Sequence, residues 1–126
     1  MPVRWIIDGN NVMGAAPDGW WNDPRAGAER LTQRIARWCR DREDDVIVVF
    51  DGRHDASIAR LAGGNLSVEF AGSSARDAAD DRIVELLGDE PPATTVVTSD
   101  RGLIARLPAG VATIGAGTFR RRLDAR

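Results

Sequence analysis

The chain has 126 residues, a formal net charge of −2 and 29% charged residues, values close to the average for globular proteins. All 17 basic residues are arginines, which excludes mechanisms that need a P-loop lysine or a lysine Schiff base. A single cysteine and a single histidine exclude an internal disulfide and His-rich or Cys-rich metal sites. Because no apolar run is long enough for a signal peptide or a bilayer-spanning segment, we expect one cytoplasmic domain over residues 1–126.

Five short apolar segments rich in β-branched residues predict strands. They are apolar throughout rather than alternately apolar and polar, as is typical of parallel strands covered on both faces. Three of them are clear, at residues 3–7, 46–50 and 94–98, and two are weaker, at residues 66–70 and 111–114.

Helical patterns lie between these predicted strands. Asp23 and Pro24 form an N-cap and a first turn that open a helix to about residue 42. A second helix is predicted over residues 75–87, with Ser74 as its cap. Alternating strands and helices predict a three-layer α/β/α sandwich with a central, mostly parallel sheet. Shorter helical segments are predicted at residues 56–61, 100–107 and 118–125.

Acidic residues follow the three clear strands, where each strand ends. Asp8, Asp51 and Asp100 occupy these positions, and Asp80 and Asp81 lie in the first turns of the second long helix. Parallel strands bring their carboxyl ends to one edge of the sheet, the edge at which ligands bind. Clustered carboxylates repel one another, and a hard cation such as Mg²⁺ or Mn²⁺ is the common way to keep them ionised.

Each acid also has an ordinary structural explanation, which stays open at this point. Aspartate is frequent after strands because it favours turns and caps. Asp8 begins a segment that suits a tight turn, and Asp100 suits an N-cap. Asp80 and Asp81 complement a helix dipole. Several carboxylates at one predicted edge nevertheless favour a metal site.

Four segments that occur in order along the chain resemble the NYN branch of the PIN-like nucleases, and within it the YacP-like subgroup of small bacterial proteins. They are DGNNV at 8–12, VVFDG at 48–52, ADDRI at 79–83 and VTSD at 97–100. The resemblance covers nearly the whole chain. It implies a PIN-like fold around a parallel sheet, an acidic pocket that binds Mg²⁺ or Mn²⁺, and hydrolysis of RNA phosphodiester bonds.

The resemblance also implies that Asn11 helps to shape the pocket and that Asp51 takes a supporting role. For metal-dependent hydrolysis, we expect Asn11 and Ser99 to be candidates for hydrogen bonds to phosphate or to metal-bound water. Asp81 is expected to be either a fourth metal ligand or the group that orients the attacking water. The residues expected to be catalytic and metal-binding are Asp8, Asp80, Asp81 and Asp100.

The predicted partner is RNA, single-stranded or structured. Arg30, Arg34 and Arg37 fall on one face of the first long helix, which suits a phosphate backbone, although an ordinary solvated face explains them equally well. Trp20 and Trp21 lie in a loop, where they either stack on bases or cover the edge of the core. No membrane contact is expected, and a homodimer is left open. The alternative function is a non-catalytic RNA- or protein-binding module with the same fold.

Overall fold

The structure, a computed structural model, describes residues 3–17, 19–73, 75 and 77–125. The strands of this part of the chain are β1 (Arg4–Asp8), β2 (Asp45–Phe50), β3 (Leu66–Phe70), β4 (Thr94–Val97) and β5 (Ala112–Ile114). Their pairings are parallel, and the strand order is β3-β2-β1-β4-β5. The predicted parallel sheet is therefore confirmed, and β1 is its central strand.

Within the described residues, six α-helices connect and cover the strands. A 3-10 turn, Trp20–Asn22, precedes the longest of them. No helix in this part of the chain has the length and apolar character that crossing a bilayer requires. The helices are α1 (Gly9–Met13), α2 (Pro24–Cys39), α3 (Ala56–Ala59), α4 (Ala78–Leu87), α5 (Arg101–Ile104) and α6 (Ala116–Asp124).

The predicted elements are present, but several begin or end elsewhere. The carboxylate of Asp23 accepts a hydrogen bond from the N–H of Ala26 at 3.1 Å and so caps α2 as expected. That helix ends at Cys39, three residues before the predicted end. Helix α4 begins at Ala78 instead of residue 75, and the predicted cap Ser74 lies outside the described residues. Helix α5 is shorter than predicted, and α6 begins two residues earlier.

Alternate side chains of β1 point to the two faces of the sheet, and each face is covered by helices. Trp5 and Ile7 pack in the larger core cluster, with buried residues of α1, α2 and α6. Ile6 packs in the second cluster, with buried residues of α4 and α5. Because both faces are covered, the middle residues of β1 and β2 are apolar and mostly buried, and the predicted three-layer sandwich is confirmed.

Helix α1 is an element that the sequence did not predict. It begins at Gly9, directly after the central strand, and packs closely against Phe50 at the end of β2. A Cβ atom at Gly9 would lie 2.5 Å from Cε1 of Phe50. Since Phe50 is itself buried and stacked on Phe70, only glycine fits at the start of α1.

We expect Gly9→Ala to lower the free energy of unfolding by about 1–3 kcal/mol, because the added methyl group overpacks the contact with Phe50. The matched control is Gly117→Ala in α6, where a Cβ meets only Arg121 Nη1 at 3.7 Å. This control should be neutral or stabilising by up to about 1 kcal/mol. Urea denaturation followed by tryptophan fluorescence measures both changes, and equal stability of the two variants would contradict the close packing.

Candidate functional site

The carboxylate of Asp8 is buried at the carboxyl end of the central strand. Its side chain is 4% exposed, and its Oδ2 accepts a hydrogen bond from the Thr98 hydroxyl at 2.9 Å. Burial raises the pKa of Asp8 from its ordinary value of 3.8 to about 6. The negative charges of Asp80 and Asp100 also raise this pKa, while hydrogen bonds from Thr98 and the backbone of Asn11 lower it. Three carboxylates from different elements therefore lie close enough to repel one another.

Asp100 follows β4 and caps α5. Its Oδ1 accepts hydrogen bonds from the N–H groups of Gly102 at 2.8 Å and Leu103 at 3.2 Å. The N–H of Asp100 in turn donates to Oγ1 of Thr98 at 3.1 Å. Thr98 thus links Asp8 and Asp100 through one hydroxyl group, a role that sequence reasoning missed. Asp100 therefore caps a helix and also belongs to the acidic group, so the structural and the functional explanation of this residue are compatible.

The two consecutive acids of α4 have different surroundings. Burial raises the pKa of Asp80, and the charges of Asp100 and Asp77 raise it further, whereas Arg106 lowers it. Asp81 instead forms an ion pair with Arg106, with 2.9 Å between Oδ1 and Nη2, and its side chain is 60% exposed. Consecutive residues of a helix point about 100° apart. Asp80 therefore faces the other acids, while Asp81 lies at the rim.

An open hollow of about 400 Å³ lies in front of these acids. Sequence reasoning missed three of the residues that line it, namely Asp77, Gly102 and Arg106. Asp77 could have been found, because it precedes Asp80 by three residues on the same helical face. Nothing in the sequence points to Arg106, since its ion pair joins segments far apart in the chain. This hollow, which we call the acidic hollow, is lined by Asp77, Asp80, Asp100, Gly102 and Arg106.

Two asparagines of α1 hold the ends of the strands on either side of Asp8. Oδ1 of Asn11 accepts a hydrogen bond from the N–H of Ser99 at 2.8 Å, and Oδ1 of Asn10 accepts one from the N–H of Asp51 at 2.8 Å. Ser99 also accepts, through Oγ, the N–H of Ala116 at the start of α6 at 2.8 Å. These bonds fix the start of α1 against the carboxyl edge of the sheet.

Asp51 does not line the acidic hollow. It is exposed and lines another hollow, together with Asn10, Phe50 and Arg53. Of the three acids expected to share one crevice, only Asp100 lines the acidic hollow, while Asp8 is buried and linked to Asp100 through Thr98. Asp51 lies apart because it follows β2, which is on the opposite side of β1 from β4.

The predicted arginine face divides between two hollows. Arg30 and Arg34 line a hollow together with Arg120 of α6. Arg37 lies one turn further along α2 and lines a separate hollow, which Arg34 also borders. Arg34 forms an ion pair with Asp124 of α6. Arg30 therefore lies with α6, Arg37 lies apart from it, and Arg34 borders both hollows.

The donor set of the acidic group suits a hard cation in its chemistry. Among residues 3–17, 19–73, 75 and 77–125, no three His, Cys, Asp or Glu side chains are placed so as to hold a metal ion together. The oxygen donors that face one another belong to Asp8, Asp80 and Asp100, and the pKa values of Asp8 and Asp80 are raised in part by this repulsion. All-carboxylate donors suit Mg²⁺ or Mn²⁺, and a cation would remove the repulsion.

We expect Asp8→Asn to raise the free energy of unfolding at pH 7.5 by about 1–3 kcal/mol, because it removes a buried charge while the amide oxygen still accepts from Thr98. Between pH 3.8 and about 6, the folded state binds a proton on Asp8 more tightly than the unfolded chain does. Wild-type stability should therefore fall as pH rises through this interval.

Urea denaturation across this interval measures the difference between Asp8→Asn and wild type, which should grow with pH and then level off. The exposed Asp51→Asn serves as the control and should show no such growth. A variant less stable than wild type at pH 7.5 would contradict the assigned burial cost.

Comparison with known proteins identifies the family. The model of the YacP-like NYN domain matches residues 5–123. Two crystal structures of Rae1 (YacP) from Bacillus subtilis are similar to the chain. A mutant form has a TM-score of 0.71 at 24% identity, over 99% of this chain and 76% of that one. The other structure has a TM-score of 0.69 at 25% identity, over 99% and 75%. Comparison with curated proteins gives no match. The chain belongs to the YacP-like NYN domain family, within the PIN-like nuclease superfamily.

Proposed function

We propose that this protein is a ribonuclease that uses Mg²⁺ or Mn²⁺ to hydrolyse RNA phosphodiester bonds at the acidic hollow. The observation that carries the proposal is the buried carboxylate of Asp8, whose pKa is raised by burial and by the nearby charges of Asp80 and Asp100. Membership of the PIN-like nuclease superfamily, whose members generally use divalent metals, supports it.

Three carboxylates are the proposed ligands, and each is held by a different element. Asp8 is fixed by β1 and Thr98, and Asp80 is presented by the first turn of α4. Asp100 uses Oδ1 for both of its capping bonds, so its Oδ2 is not engaged by the helix. A bound cation would supply charge neutralisation for these acids and for the phosphodiester, and a water molecule of lowered pKa.

Residues at the rim of the hollow are suited to orient the phosphate and the attacking water. Arg106 carries a guanidinium group next to the acids, and Asp81, its ion-pair partner, is the proposed group for orienting water. Oδ1 of Asn11 is occupied by Ser99, which leaves the Nδ2 amide as its donor. The Ser99 hydroxyl accepts from Ala116 and retains its own proton for donation. Asn11 and Ser99 are therefore proposed as phosphate contacts.

We expect the purified protein to cleave end-labelled single-stranded RNA in Mn²⁺ and to lose activity in EDTA. Asp8→Asn and Asp100→Asn should each lower kcat by about 100-fold or more, because each removes a charged group at the reacting phosphate. Asparagine still caps α5, so the second variant tests chemistry rather than folding. Denaturing gel electrophoresis measures the cleavage.

The matched control for Asp100→Asn is Asp23→Asn, which changes an aspartate cap on α2 outside the acidic hollow and should cleave like wild type. DNA of the same sequence tests the preference for RNA. Cleavage at the wild-type rate by Asp8→Asn would assign the activity to another site or to a contaminant.

One observation favours the alternative, a non-catalytic RNA- or protein-binding module. As described above, no three acidic side chains in the described part of the chain are placed as a complete ligand set. The two functions differ in whether the acids bind a cation at all.

We expect Mn²⁺ to raise the Tm of the wild-type protein, since a ligand that binds only the folded state stabilises it. Asp8→Asn and Asp80→Asn should each reduce this shift, and Asp51→Asn should retain it. Differential scanning fluorimetry with and without Mn²⁺ measures the shifts. No shift in the wild type, together with no cleavage, would support the binding module instead.

A further inference from the structure

A basic hollow lies on the face of the protein formed by α1, α2 and α6. Its volume is about 200 Å³, and three arginines converge on it from two helices. Arg30 and Arg34 come from successive turns of α2, and Arg120 comes from α6. Between them lie Met13, Gly27 and Leu31, so the floor of the hollow is apolar and its walls are cationic. We call it the arginine hollow.

One arginine of the arginine hollow is already paired with a carboxylate of the chain itself. Arg34 forms its ion pair with Asp124, whose side chain is 69% exposed. Arg120 donates a hydrogen bond from Nη1 to the carbonyl oxygen of Val12 at 3.2 Å, which anchors its guanidinium group beside α1. The described residues that line the hollow include three arginines and no acid. An anion from solution can therefore exchange with the exposed carboxylate of Asp124.

Helix α1 joins the arginine hollow to the acidic hollow. Its Asn11 holds Ser99 beside the acids, while the next residue, Val12, accepts the bond from Arg120. Met13, at the end of the same helix, lines the arginine hollow. The helix has five residues and is about 7.5 Å long. One short helix therefore contacts residues of both sites.

An exposed indole adjoins Trp20, which packs against Gly27 of the arginine hollow. Trp21 is 55% exposed, and its ring lies 6.2 Å from that of Trp20 in an edge-to-face arrangement. Trp20 packs against Gly27, where a Cβ would lie 3.1 Å from Cβ of Trp20 and 3.2 Å from Sδ of Met13. The buried contacts of Trp20 thus fix the turn that presents Trp21. An aromatic side chain beside a cationic groove is typical of surfaces that bind single-stranded nucleic acid.

We infer that the arginine hollow binds a backbone phosphate of single-stranded RNA, with an unpaired base stacked on Trp21. The inference rests on the proposed function in one respect only, namely that the strand continues over α1 into the acidic hollow. The phosphate displaces Asp124 from Arg34 and contacts Arg30 and Arg120. A paired base presents no free face to Trp21, so the site selects single strands over duplexes.

Fluorescence anisotropy of a fluorescein-labelled single-stranded RNA tests the inference, in EDTA so that the RNA stays intact. Arg30→Gln and Arg120→Gln should each weaken binding several-fold and reduce the slope of log K against log salt concentration by about 0.7. The matched control is Arg121→Gln, which removes the same charge from an exposed neighbour of Arg120 outside the hollow and should leave the slope unchanged.

A gain of affinity separates the inference from a loss of folding. Asp124→Asn removes the competing carboxylate and should tighten RNA binding several-fold. The charge-matched control is Asp89→Asn, in the exposed turn after α4, which should have little effect. No gain with Asp124→Asn, or an equal gain with the control, would overturn the arrangement.

Trp21→Ala should weaken binding of the single strand by about 5- to 100-fold, and Trp21→Phe should restore part of it. Binding of a blunt-ended RNA duplex should be weaker than that of the single strand and unaffected by Trp21→Ala. Equal effects on both RNAs would contradict base stacking. If polyglutamate competes as well as RNA and Trp21→Ala changes nothing, the hollow binds acidic protein segments and the inference fails.

The cleavage assay on the same variants separates this inference from the proposed function. If Asp8→Asn abolishes cleavage while the arginine and tryptophan variants bind and cleave like wild type, the nuclease stands and the arginine hollow is not its RNA site. If the wild type does not cleave but the arginine and tryptophan variants lose RNA binding, the hollow stands and the nuclease fails.

Discussion

The buried carboxylate of Asp8 is the constraint on which the rest of the site depends. Asp8 is the last residue of the central strand, so it lies between the ends of β2 and β4 and directly before the start of α1. A pKa of about 6 corresponds to about 3 kcal/mol of unfavourable burial at neutral pH, a sizeable part of a whole-domain stability of about 5–15 kcal/mol. Hydrogen bonds from Thr98 and Asn11 oppose only part of the shift. A purely structural aspartate has no need of such burial, whereas a cation would relieve it.

Helix α1 holds the ends of the neighbouring strands in position around Asp8. Its sequence has poor intrinsic helix propensity, since it begins with glycine and two asparagines. Its position comes instead from the side chains of Asn10 and Asn11, which bond to the backbone beyond β2 and β4. The close contact of Gly9 with Phe50 completes the fit. One short helix therefore fixes the strand ends around Asp8 and separates the acidic hollow from the arginine hollow.

The strands, the layers and the common edge of Asp8 and Asp100 could be predicted, because burial on both faces makes parallel strands apolar and topology brings their ends together. The direction in which each side chain points could not be predicted. Asp80 and Asp81 are the same residue type, but consecutive residues of a helix point about 100° apart. Only the tertiary structure shows that Arg106 forms an ion pair with Asp81. Helix α1 was missed because it is stabilised by hydrogen bonds to backbone groups that are distant in the sequence, and local helix propensity does not reveal such bonds. Arg120 was missed for the same reason, since its contact with Val12 joins opposite ends of the chain.

The net charge of −2 conceals two regions of opposite charge whose separation has a physical consequence. Without a cation, the acidic hollow repels a polyanion, while the arginine hollow attracts one. Helix α1, which contacts residues of both hollows, is about 7.5 Å long, comparable with the Debye length of about 8 Å at physiological ionic strength. Arg30, Arg34 and Arg120 would therefore offset part of the repulsion that RNA would meet at the acids. Under the proposed function, capture of the strand would respond mainly to monovalent salt and cleavage to the divalent ion, so the two steps can be separated by experiment.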